Sequence, residues 1–270
     1  MENTQKFDVS VILPIKSGKA NGFTEYFEKC IESLKNQKVG INELIIVHTN
    51  ETYIVDYINQ FDFGTLNVIK VEWTKDANYA SQINYGVRSA KSKWVSLFEF
   101  DDEYSSIWFK NVEVYSNAYS DVDAFLPIVV DTDQTGKFAG FTNEATFAAN
   151  FTPEMGILTN ETLLEYQNFQ ISGMVIKTSS FIDFGLIKSS FKLTFGYEFF
   201  LRMTHNSVKF MSIPKIGYKH TNLRDGSIFW NYKNGDDRLT EDEVRFWIDS
   251  AKKEYFFIND RAIKYEPQTV

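Results

Sequence analysis

The run "DVSVILPI" (Asp8 to Ile15) is continuously apolar and rich in β-branched residues, as a strand buried on both faces requires, and the loop "KSGKANG" follows it. In "FTEYFEKCIESL" the period changes. Phe23, Tyr26, Phe27, Cys30, Ile31 and Leu34 recur at helical spacing with charged residues between them. "NELIIVHTNE" then predicts a second strand, "TYIVDYINQF" a second helix and "LNVIKVEW" a third strand. A third helix is predicted from about Ala80 to Ala90, and a fourth strand in "WVSLFEF". Such alternation predicts an α/β fold, a Rossmann-like and mostly parallel sheet with helices on both faces. Ligands in such sheets collect beyond the carboxyl ends of the strands.

From Ser106 the alternation loosens. "IWFKNVEVYSNAY" reads as a helix and "DAFLPIVV" as a strand, but "DTDQTGKFAGFTNEATFAANFTPEMG" has no clean period. Phe138, Phe141, Phe147 and Phe151 in this interval could stack on the rings of a ligand, although aromatic residues are more often core. "SGMVIK" predicts a strand, "TSSFIDFG" and "FGYEFFLRMTHN" helices, and "VKFMSIPKIGYKH" two short strands broken at Pro214. A last helix is expected in "LTEDEVRFWIDSAKKEYFFI", where Thr240 precedes a run of acids. With no repeat or linker evident, residues 1–230 are expected to form one domain and residues 231–270 a helical appendage packed on it.

Composition narrows the function classes. At 270 residues with 43% hydrophobic content the chain can bury a core of its own. A net charge of -8 opposes a broad nucleic-acid surface, which needs a concentrated surplus of Lys and Arg. The single cysteine, Cys30, excludes an internal disulfide and a thiolate metal cage, and core packing is its ordinary fate. "MENTQKFDVS" carries no apolar signal region and no run is long enough to cross a bilayer, so a soluble cytoplasmic protein is expected.

The chemistry gathers where the fourth strand ends, in "WVSLFEFDDEYS". Glu99, Asp101 and Asp102 would repel one another unless a cation lay between them, and Glu99 and Asp101 share a face if the strand persists. A hard divalent ion, Mg²⁺ or Mn²⁺, suits these oxygens and would complete its shell on a diphosphate. The alternative is a solvated acidic cluster capping the next helix, with Ser105 as another cap.

Four blocks, "VSVILPIKS", "NELIIVHTNE", "ASQINYGVRSAKSKWVSLFEFDDEYS" and "YEFFLRM…VKFMSIPKIGYKHTNLRDGS", resemble in order and spacing the family 2 glycosyltransferases of GT-A fold, over roughly residues 8–230. "INYG" (Ile83 to Gly86) and "EFDD" (Glu99 to Asp102) stand at that family's central motifs. The resemblance implies a metal-dependent, inverting transfer of a sugar from a UDP- or GDP-sugar to a glycan or other acceptor hydroxyl. It implies Asp101, Asp102 and His220 as metal ligands, with Glu99 near the sugar, ribose or metal-bound water. Pro14, Ile15 and Lys16 would flank the nucleotide and Asn84 the donor. The base-contacting acids of the family are replaced by "HTNE", from which Asn50 is the residue assigned to the donor. Arg224, with Lys219 and Ser227 nearby, could neutralise a departing diphosphate, although loop charges are usually just solvated. His48 and His205 carry weaker signals. The family's general base comes from a Glu-Asp pair ahead of an Arg; with Arg202 as that Arg, the pair falls on Phe195 and Gly196. Glu198 is then the expected base, unless it only orients Arg202 at helical spacing, and Asp183 and Asp225 are fallbacks. The departure motivates a rival reading, an inactive GT-A-like protein that binds a nucleotide-sugar or glycan. A nucleotidyltransferase is disfavoured, because "KSGKANG" is a poor phosphate-binding loop.

Overall fold

The computed structural model describes residues 5–16, 22–75, 78–144 and 156–266. Its first half follows the alternation: β1 (Lys6–Ile15), α1 (Phe23–Lys35), β2 (Gly40–His48), α2 (Thr52–Gln60), β3 (Val68–Glu72), α3 (Tyr79–Ser89) and β4 (Trp94–Leu97). Then come β5 (Glu103–Tyr104), α4 (Trp108–Ala118), β6 (Ala124–Thr132), β7 (Phe138–Thr142), β8 (Ile157–Leu158), α5 (Asn160–Glu165) and β9 (Val175–Lys177). The chain continues through α6 (Thr178–Asp183), α7 (Phe195–His205), β10 (Phe210–Thr221), α8 (Ile228–Asn234) and α9 (Glu241–Glu254).

The strands form one mixed sheet in the order β3-β2-β1-β4-β9-β6-β10-β5, with β7 on β6 and β8 on β10. β3, β2, β1 and β4 are mutually parallel. β9 runs antiparallel to both β4 and β6, and β10 is parallel to β6, so β1, β4, β6 and β10 all end at the same edge. The chain reverses its direction of travel across the sheet between β1 and β4, and a crevice opens at such a point.

Alternation along the strands divides the core in two. Val9, Val11, Leu13 and Ile15 of β1 pack with Phe27 of α1, Ile54 of α2 and Trp108 of α4 on one face. Ile12 faces the other side, in the cluster that holds Ile83 of α3, Phe199 of α7 and Trp247 of α9. Gly86 permits the approach of α3, since a Cβ there would lie 2.5 Å from Ile12. α9 starts at a capping box between Thr240 and Glu243 and buries Trp247, Ser250 and Ala251.

Three expectations are corrected. β4 stops at Leu97, so the acids lie in a turn closed by the Asp102 N–H on the Glu99 carbonyl at 3.2 Å, and no strand pleat aligns Glu99 with Asp101. Residues 210–221 are one strand, because pairing with β6 lapses after Ile213 and resumes at Ile216, leaving Pro214, which has no N–H, in the irregularity. Phe138 and Phe141 are exposed rather than core and pack on each other on β7, while Phe147 and Phe151 lie outside the described residues.

Candidate active site

The ends of β1, β4 and β10 open into a cavity of about 700 Å³. Pro14 and Lys16 line it from β1, Glu99 and Asp101 from the turn after β4, and His220, Arg224 and Asp225 from the end of β10 and its following loop.

The acids have different partners. Asp102 is almost fully buried, accepts the Thr221 N–H at 2.8 Å and faces His220 Nδ1 at 3.0 Å. Glu99 accepts from the Ser172 hydroxyl at 2.6 Å, and its own N–H donates to the Tyr218 hydroxyl at 3.1 Å. Asp101 turns the other way. Arg224 Nε donates to its carboxylate at 2.6 Å, and the guanidinium lies 4.8 Å from the centre of the Phe100 ring. One oxygen each from Glu99 and Asp102 and a ring nitrogen of His220 therefore fall within 4.8 Å of one another.

Burial, and then the Asp102 charge, push the Glu99 carboxyl up to about 7. The same causes raise Asp101 despite its arginine. Burial opposes a charged His220 imidazole, but the hydrogen-bonded Asp102 and the nearby Glu99 and Asp101 outweigh it, holding the pKa up at about 10. The charges of His220 and Arg224 offset most of the acids, and two carboxylates with one imidazole are donors that suit Mn²⁺.

The geometry revises the roles expected of several residues. Glu198 is fully buried and ion-paired to Arg202 Nε at 2.8 Å and Lys188 Nζ at 3.0 Å, so it cannot meet an acceptor hydroxyl. Phe195 and Gly196, which replace the expected Glu-Asp pair, do line the cavity. Asn84 donates to the Ile187 carbonyl at 2.7 Å and accepts its N–H at 2.9 Å, which ties α3 to the loop before α7 and takes Asn84 out of the lining. Ile15 is buried, with its carbonyl accepting from Gln82 at 3.2 Å, and Asn50 is exposed beyond β2; neither is a lining residue. Lys219 pairs with Glu103 at 2.8 Å, whereas Ser227 caps α8 at the cavity wall. Asp183 is exposed on α6, away from the lining. His48 Nδ1 lies 2.8 Å from the Thr49 carbonyl, and His205 packs on Tyr255 and Phe256.

Sequence reasoning missed Ser172 and Tyr218, the partners of Glu99. Gly173 was the one local trace of this arrangement: its φ is +74°, and a Cβ there would lie 2.5 Å from the Tyr218 ring.

A family model for glycosyl transferase family 2 matches residues 10–172. No curated protein matches the chain in a sequence search. Among solved structures, S. aureus TarS 1-349 in complex with UDP is similar with a TM-score of 0.58 at 15% identity, over 92% of this chain and 80% of that one. The same TarS fragment in complex with UDP-GlcNAc gives 0.58 and 15% over 93% and 72%. Likeness at this identity establishes the fold, and no helix among the described residues is long and apolar enough to cross a membrane. Because the family model spans more than half of the chain, over the β1–β4 sheet and the acidic turn, the protein belongs to glycosyl transferase family 2 and is a glycosyltransferase of GT-A fold.

Proposed function

We propose that the protein transfers a sugar from a UDP-sugar to an acceptor hydroxyl with inversion at the anomeric carbon, and that it depends on a divalent cation, Mn²⁺ in preference to Mg²⁺. The observation that carries this reading is the Glu99–Asp102–His220 cluster at the point where the sheet reverses, with Glu99 and His220 lining the cavity and Asp102 buried behind them. Family membership and the UDP and UDP-GlcNAc complexes of TarS support the choice of donor. Pro14 and Lys16 flank the nucleotide at the end of β1.

Glu99, Asp102 and His220 hold the cation, in place of the Asp101, Asp102 and His220 set implied by the resemblance. When bound, the cation neutralises charge on the departing diphosphate. Asp101 positions Arg224 beside this charge. Three carboxylates line the cavity: Glu99 belongs to the cluster, Asp101 is bonded to Arg224, and Asp225 has no side-chain partner among the described residues. Asp225 therefore takes the proton of the acceptor hydroxyl.

Binding of UDP with and without Mn²⁺, followed by donor turnover in Asp225→Asn, tests the reading. Mn²⁺-dependent UDP binding is expected, with turnover falling about 10²-fold or more in the variant. UDP binding that ignores Mn²⁺, or full turnover in Asp225→Asn, contradicts it. A second reading, a binding protein without turnover, is favoured by Phe195 and Gly196 standing where the family carries its acids. It requires UDP-sugar binding with no hydrolysis or transfer in the parent protein.

A further inference from the structure

The cavity has two characters. Its charged lining residues come from the ends of β1, β4 and β10, whereas another part of the wall is apolar: Phe169 and Ile171 ahead of β9, Leu193 and Phe195 around the start of α7, and Ile228 and Phe229 on α8. The rings on this wall are ordered against one another. Phe195 and Phe229 stack with centroids 6.1 Å and planes 20° apart, and Tyr79 tilts against Phe195 at 5.9 Å. Phe229 nevertheless remains 45% exposed, so an apolar face is open in the cavity that Glu99 and His220 also line.

Charge and solvation restrict what can occupy this wall. None of these six side chains carries a charge to pair with a phosphate-bearing acceptor, and the cations of the lining, Lys16, His220 and Arg224, lie with the acids at the ends of β1, β4 and β10. A bare polyol would press hydroxyls against Ile, Leu and Phe side chains, leaving them without partners. Gln170, Thr194 and Asn231 in the lining already donate to Asp131 and Thr142, to the Trp247 carbonyl and to the Gly226 carbonyl, so they offer a ligand chiefly oxygen acceptors, enough to orient one that is otherwise apolar.

We infer that this wall is the acceptor subsite, and that it takes an uncharged acceptor whose hydroxyl is carried beside an aromatic ring, such as an aryl glycoside. The inference rests on the glycosyltransferase reading above. In the transfer, the acceptor oxygen bonds to the anomeric carbon as that carbon's bond to the diphosphate oxygen breaks. The electron pair leaves with the diphosphate, and the hydroxyl proton passes to Asp225.

The full chain is incubated with Mn²⁺ and each of UDP-glucose, UDP-galactose and UDP-GlcNAc, and with p-nitrophenyl glucoside, glucose or glycerol 3-phosphate as acceptor. The aryl glucoside should exceed glucose in kcat/KM by about tenfold, the worth of one ring stack, and glycerol phosphate should not react. Phe229→Ser, at a position 45% exposed on α8, should remove that preference by raising KM for the aryl glucoside while the Kd for UDP stays unchanged. Equal use of glucose, preference for glycerol phosphate, or an unaltered KM in Phe229→Ser overturns the inference. If nothing is transferred, equilibrium dialysis of the aryl glucoside with UDP and Mn²⁺ decides: binding lost in Phe229→Ser supports the subsite, and no binding overturns it. UDP binding is read separately, so UDP bound without an aryl preference removes only the acceptor assignment, whereas no UDP binding removes the donor reading as well.

Discussion

Glu198→Gln separates a structural carboxylate from a catalytic one. Glu198, Lys188 and Arg202 have no solvent exposure, and the carboxylate bridges the two cations at 3.0 and 2.8 Å. Lys188 also donates to the Glu254 carbonyl at 2.7 Å, and Arg202 to the carbonyls of Phe184 and Leu186, so the network joins α7, the loop before it and the end of α9. Removing the one anion leaves two positive charges in a dry interior, and breaking a buried pair from one side costs about 3–5 kcal/mol. A domain has only about 5–15 kcal/mol in total, so the loss is a large share of it. At about 2–4 °C per kcal/mol, the melting temperature should fall by roughly 6–20 °C. Adding Lys188→Met should restore about 1–3 kcal/mol, because one stranded charge is then gone. Urea unfolding of the parent, both single variants and the double variant supplies the cycle. Parent-like stability in Glu198→Gln, together with turnover reduced a hundredfold, would refute the structural role and return Glu198 to the position of base.

The protonation of the cluster sets a pH dependence. Glu99 titrates at about 7 and His220 at about 10, and both must release their protons to become ligands. Mn²⁺ affinity measured by calorimetry should therefore rise with pH, with about two protons released per ion below pH 7 and about one between 7 and 10; affinity that is flat or falls with pH excludes these ligands. Gly173→Ala should lower stability by more than about 1 kcal/mol, since it joins a positive φ to a clash with the Tyr218 ring, and should weaken Mn²⁺ binding through the Glu99 backbone. Unchanged denaturation and metal titrations in that variant would rule out this support.

The parts of the fold legible in the sequence are those where one element carries its own period. β1 through α3 are each long enough for apolar spacing to identify them, and the terminal helix announces itself through Thr240 and the acids after it. β5 and β8 are two residues long and exist because a neighbouring strand supplies the other half of the ladder, which spacing along the chain cannot reveal, whereas "SGMVIK" marked β9 although that strand is only three residues long. Pro214 misled because a proline usually ends a strand, whereas here the irregular pairing absorbs it. At the site, the turn after β4 and His220 were readable as residue types, but the division of labour among the acids was not. Arg224 reaches Asp101 from 123 positions away and Ser172 reaches Glu99 from 73, so the partner that frees or occupies each carboxylate is decided by tertiary structure. Glu198 looked catalytic for the same reason, since its cation Lys188 lies in the loop ahead of α7.

Anomalous diffraction from crystals grown with Mn²⁺ and UDP most directly tests which residues hold the cation. A manganese peak bounded by Glu99, Asp102 and His220, with Arg224 still on Asp101, is the predicted result. A peak ligated by Asp101 with Arg224 displaced, or UDP bound at the end of β1 with no manganese beside it, would contradict the account.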